Sequence, residues 1–105
     1  MTNYIVSFEI SSDRDNYAEV RKSLMDAAQK IANELPWEET TSFLSFKSSY
    51  DLQGASHVLY FDSKLLESKD KLLVIDLTNK KYIQRGMQYP VTLKDSLGLS
   101  EVKVI

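Results

Sequence analysis

This chain of 105 residues has no cysteine, a single histidine, two prolines and three glycines. Without cysteine there is neither a disulfide nor thiolate chemistry, and nothing about compartment follows from that. A zinc site around His57 would have to recruit carboxylates alone, and none stands at ligand spacing. The ordinary reading of His57 is a surface or rim imidazole. Gly54, Gly86 and Gly98 are too scattered to cradle phosphates, which sets aside dinucleotide binding and P-loop phosphoryl transfer. No serine lies in a G-x-S-x-G elbow. No apolar run approaches the roughly 20 residues that cross a bilayer. The stretch after Met1 is polar and lacks a signal-peptide layout, so a cytoplasmic protein with no membrane contact is expected. Nor is there an excess of one charge. The formal net charge is −2, so any contact with nucleic acid must rest on a local patch.

What is present suits one small domain, residues 1–105. Hydrophobic residues make up 43% and charged residues 27%, which argues against disorder. "YIVSFEI" (Tyr4–Ile10) alternates, with Tyr4, Val6, Phe8 and Ile10 on one face and Ile5, Ser7 and Glu9 on the other, and predicts a strand over about 3–10. A loop with two overlapping capping patterns follows, Ser12/Asp15 and Asn16/Glu19. Tyr17, Val20, Leu24, Ala27, Ala28, Ile31 and Leu35 then recur at helical steps up to Pro36, which should end the helix. Short strands are expected near Trp37–Thr40 and Ser42–Lys47. Leu52, Ala55 and Leu59 suggest a second helix despite Gly54.

"KLLVIDLT" (Lys71–Thr78) reads as a strand buried on both sides. After Pro90 a polar, turn-like "KDSLGLS" precedes "EVKVI", a possible last strand. The order is β-α-β-β-α-β over about 3–87 with an extension over about 88–105. That is an α+β, ferredoxin-like antiparallel sheet with both helices on one face. The other face should expose Ile5, Leu72 and Val74, a natural surface for a homodimer.

Two groups of residues carry candidate chemistry. "KKYIQR" brings Lys80, Lys81 and Arg85 together with Tyr82, a composition that can hold a phosphate backbone of RNA or DNA and stack a base. The plainer reading is a solvated hairpin edge whose lysines deter edge pairing, and on an acidic protein that reading is favoured. Glu9 is the other candidate. As a lone acid it is an ordinary carboxylate on an open face. Asp76 shares its face parity, but on an antiparallel neighbour it would lie too far along the strand to share a metal. Across a two-fold axis Glu9 would meet its own copy, and paired carboxylates suit Mg²⁺ or Mn²⁺ that activates water for phosphodiester cleavage. Ser7, Ser11 and Arg14 would then help to hold phosphate or water.

"YIVSFEI" resembles the opening Y-x-V-S-Y-D-L strand of the small CRISPR-associated "Cas two" endonuclease family and of its SinR-like bacterial relatives. Tyr17 opening the helix, Trp37 before "TSFLSF" (Thr41–Phe46), "KDKLLVIDLT" (Lys69–Thr78), and Tyr82 followed by Gly86 echo further motifs of those proteins. The resemblance spans residues 4 to about 87. It implies a ferredoxin-like homodimer in which the residue at Glu9 would pair across the dimer to bind metal. The family has aspartate there, and glutamate is one methylene longer, a departure that puts metal placement in doubt.

The resemblance leaves two functional expectations: a homodimeric binding or assembly module without catalysis, needing no cofactor, or a metal-dependent endonuclease or endoribonuclease acting through paired Glu9 residues. A third is a domain that binds a protein partner at its sheet edge through "EVKVI".

Overall fold

A computed structural model describes residues 1–105. Its elements run β1 (Thr2–Glu9), α1 (Tyr17–Ile31), β2 (Phe43–Ser48), α2 (Leu52–Phe61), β3 (Lys71–Asp76), β4 (Lys81–Arg85), α3 (Pro90–Leu97) and β5 (Ser100–Glu101). The sheet order is β2-β1-β3-β4-β5. All neighbours are antiparallel except β4 and β5, so this is a five-stranded mixed sheet in an α+β fold. No helix is long and apolar enough to cross a membrane.

The alternation read in β1 is what builds the core. Tyr4, Val6, Phe8 and Ile10 are buried, and with Leu44, Phe46, Leu72, Val74 and Ile83 they meet Val20, Leu24 and Ile31 of α1 and Leu52, Ala55 and Leu59 of α2. Both helices therefore lie on the same side of the sheet. The Asp51 side chain caps α2, accepting from the Gly54 N–H at 2.8 Å. That cap and the buried stripe outweigh the glycine.

α1 begins after Asn16 and ends at Ile31, well short of Pro36. The expectation that proline stops the helix is corrected here. Ala32 turns extended and bridges Ser48, Asn33 N–H donates to the Lys47 carbonyl at 2.8 Å, and the Ser48 hydroxyl donates to the Ile31 carbonyl at 2.7 Å. Backbone pairing with β2 claims the chain first, and Leu35 is left 80% exposed. The short strand expected at Trp37–Thr40 is reduced to one bridge, in which Trp37 and Ser45 exchange N–H···O bonds of 2.8 and 3.1 Å.

Register corrects the faces of β3. Leu72 stands opposite Phe8, Val74 opposite Val6, and Asp76 opposite Tyr4. These three are on the helix-covered side, not beside Ile5 on the bare side. Leu73 and Ile75 share the reverse face with Ser7 and Ile5. A run that is apolar at every position from Leu72 to Ile75 carries no signal of its own about which way it faces.

The tail differs most from expectation. "PVTLKDSL" is a helix, not a turn, with Pro90 at its first turn and Gly98 closing it at φ 66°. Of the last strand only Ser100–Glu101 pairs, beside Lys81 and Tyr82; Val102 N–H then donates to the Tyr82 carbonyl at 2.8 Å and Val102 packs on the core. On the reverse face Tyr82 is fully buried and Leu73 nearly so. Met87 N–H donates to the Gln84 side chain on that side at 3.3 Å, and α3, with half-buried Leu93 and Leu97, follows. The reverse face thus divides into a closed part around Leu73 and Tyr82 and a bare part that runs from β2 and β1 to Ile75 and Leu77.

Candidate functional site

The end of β1 and the start of β3 bring Glu9, Ser11 and Arg14 into one neighbourhood. Glu9 is the cross-strand partner of Lys71, and the Lys71 ammonium donates to its carboxylate at 2.9 Å. The Glu9 side chain remains 67% exposed. Ser7 lies on the same bare face, opposite Leu73. Asp76 is at the far end of β3 and on the other face. There it accepts from the Asn79 backbone and side chain at 2.8 and 2.9 Å and so shapes the β3–β4 turn. Within the chain no set of three or more His, Asp or Glu side chains is grouped to hold a cation.

Arg14 has a different partner from the one expected. Its guanidinium donates to the carboxylate of Asp70 and to the Lys64 carbonyl, the latter at 3.0 Å. Asp70 also accepts from the Ser11 and Leu66 backbone N–H groups at 2.9 and 3.0 Å. The Arg14 and Asp70 side chains are only 9% and 1% exposed. Such a buried pair survives because its donors and acceptors are matched. It ties the loop after β1 to the loop before β3, and Arg14 is occupied in holding that junction. Asp70 was not singled out from sequence, and its position directly before an apolar strand, in "SKDK", is no signal by itself.

The Ser11 hydroxyl donates to Asp13 at 2.6 Å. That bond and the nearby Lys69 ammonium hold the Asp13 carboxyl below its usual range.

Gly86 sets the other wall of this junction. Its φ is +76°, and a Cβ there would lie 2.2 Å from the Asp70 carbonyl oxygen. Only glycine permits that approach.

The basic stretch is not one patch. A strand alternates, so Lys81 and Arg85 point to the helix side and Tyr82 to the reverse face. Tyr82 is completely buried and offers no ring face to a base. Burial and the nearby Glu101 carboxylate raise its phenol pKa. Arg85 is also buried, with its guanidinium over the Tyr60 ring at 4.4 Å. Only Lys80, in the left-handed conformation at φ 56°, is presented openly at the turn. The expected combination of cations with a stacking aromatic is therefore absent from this strand.

The bare part of the reverse face carries Ile5, Phe43 and Ile75, half-buried, together with Trp37 and Leu77 at 45% and 48% exposure. Trp37 packs edge-on against Phe43, with ring centroids 5.8 Å apart. Beside them Asn3, Leu35, Trp37, Ser45, Lys47 and Leu77 help line a hollow of about 220 Å³. This is an apolar strip with a charged end, where Glu9 and Lys71 neutralise each other. Compared with known proteins, the chain matches no family model, no curated protein and no solved structure.

Proposed function

We propose that this chain is a ferredoxin-like, homodimeric binding or assembly module of the Cas-two and SinR-like kind that does not cleave nucleic acid. The observation that carries the reading is the ion pair between Glu9 and Lys71 at 2.9 Å. The ammonium on the next strand offsets, at this surface, the negative charge that would attract a hard cation. Its neighbours Ser11 and Arg14 serve the Asp70 junction instead. What remains for function is the apolar strip of Ile5, Phe43, Ile75, Trp37 and Leu77, a surface suited to a second copy of the same strip about a two-fold axis.

The ferredoxin-like part of the reading rests on the Trp37 bridge. Trp37 pairs with the outer edge of β2, so the local order is Trp37, β2, β1, β3, and α2 carries the chain from β2 over β1 to the parallel β3. That local order supports a split arrangement whose second strand is worn down to a single pair.

The test is the solution mass by light scattering, for the wild type and for Leu77→Glu, beside incubation of both with RNA and DNA in Mg²⁺. A wild-type dimer, a largely monomeric variant and intact nucleic acid are the expected results. A wild-type monomer, or cleavage that requires the cation and disappears in Glu9→Gln, overturns the reading.

A further inference from the structure

Arg85 ends β4 on the helix-covered side, and its side chain is only 8% exposed. The guanidinium carbon lies 4.4 Å from the centre of the Tyr60 ring and 5.1 Å from that of Phe61. Such stacking occupies the flat face of the cation. The N–H groups lie in the plane and must find their acceptors around its edge. The one carboxylate near it, Glu67, is 3.9 Å away, beyond hydrogen-bonding distance, and the buried Nε–H has no partner. A buried guanidinium is costly to hold in that state.

Beside it lies a cavity of about 370 Å³, lined by Gln53, Gly54, His57, Arg85 and Ile105. That size falls in the range of about 300–1,000 Å³ usual for small-molecule sites. Gln53, Gly54 and His57 come from the first turns of α2, where the spacing of four places Gln53 and His57 on one side. Gln53 also donates to the Lys103 carbonyl at 2.7 Å, which fixes the chain beyond β5 as the third wall. The His57 ring rests against Phe61 at 4.6 Å.

We infer that this cavity between α2, the end of β4 and the segment after β5 binds a small phosphomonoester, with Arg85 as its central donor and His57 and Gln53 flanking it. The donors come from two elements, which suits a tetrahedral anion that accepts bonds in several directions better than a planar carboxylate. The volume leaves room for the organic part. Two carboxylates border the site. Asp51 is held by its cap bond to Gly54. Glu67 is 54% exposed, so it can swing away when phosphate takes its place beside Arg85.

The experiment is an amide and imidazole NMR titration of the whole chain with ribose 5-phosphate and with inorganic phosphate, at constant ionic strength. Saturable shifts centred on Gly54 and His57 are expected. Arg85→Lys keeps the charge but loses the planar fork, and should weaken binding tenfold or more. His57→Ala, at an exposed position, should weaken it several-fold, and it decides the matter if Arg85→Lys does not fold. No saturable shift at millimolar ligand overturns the inference. So does an affinity unchanged in His57→Ala, an equal response to potassium chloride, or acetate binding as tightly as ribose 5-phosphate.

Discussion

Asp70 and Lys71 are adjacent in sequence, and each forms an ion pair with the segment at the end of β1, yet the two pairs have little in common. Asp70 and Arg14 are sealed from water, with three protein donors converging on the carboxylate. Lys71 and Glu9 pair on an open sheet face at 2.9 Å, with Glu9 mostly solvated. In water the mutual attraction of two charges is screened and offset by the entropy of holding long side chains, so the exposed pair adds at most about 1 kcal/mol. In the interior the desolvation cost is already sunk into the fold, and removing one partner strands the other. Two ion pairs of similar appearance therefore differ in role: one fixes the architecture, the other sets the charge of a surface.

The sharpest way to break that contrast is Asp70→Ala. Arg14 would be left buried and unpaired, with a loss of about 3–5 kcal/mol expected in denaturant melts. A loss below about 1 kcal/mol would show that the junction relaxes and that burial does not distinguish the pairs. Gly86→Ala attacks the same junction from the backbone side, since the added Cβ collides with the Asp70 carbonyl at a positive φ. About 3 kcal/mol of destabilisation is expected, read as a drop in the thermal midpoint without change in the Glu9 environment.

At the opposite end of the same two strands Tyr4 extends the comparison to pH. Its hydroxyl donates to the Tyr50 carbonyl at 2.7 Å. Burial, and then the Asp76 carboxylate opposite, push its pKa up to about 12. The unfolded phenol loses its proton near its ordinary value of 10.0 while the folded one keeps it. The contribution is therefore whole below pH 10 and declines as pH rises toward 12. About 2 kcal/mol should disappear across that window, and Tyr4→Phe should flatten the decline in alkaline unfolding curves. Buried Tyr82 acts in the same direction and leaves a residual slope. The smallest effect is Glu9→Gln, for which less than about 1 kcal/mol is expected, with weak dependence on salt between dilute and physiological buffer. A loss as large as that of Asp70→Ala would make Glu9 an architectural residue.

β1 was fully legible because its two faces meet different surroundings: Tyr4, Val6 and Phe8 meet helices and Ile5, Ser7 and Glu9 do not. α2 was legible through Leu52, Ala55 and Leu59. α3 carried its own start and stop, Pro90 and Gly98, but none of its residues is buried, so no apolar stripe drew attention to it. At the candidate site the sequence could name Glu9, Ser11 and Arg14 as residues near the end of one strand. It could not name Asp70, because a carboxylate reads the same whether it ends in water or under a guanidinium.

The sequence by itself determined the period of each element: where residues alternate, where they recur at helical steps, and where charge falls. Those are local properties, set by backbone geometry and side-chain size within a few residues. Only the tertiary structure decided which way β3 faces, where α1 stops, and which cations remain free. Leu72 lies under the helices because Phe8 stands opposite it, and α1 ends at Ile31 because Ala32 and Asn33 pair with β2. Tyr82 is closed off and Arg85 stacked because strands and helices distant in sequence cover them. Register and burial are relations between segments, and the free energy that fixes them appears only when the segments meet.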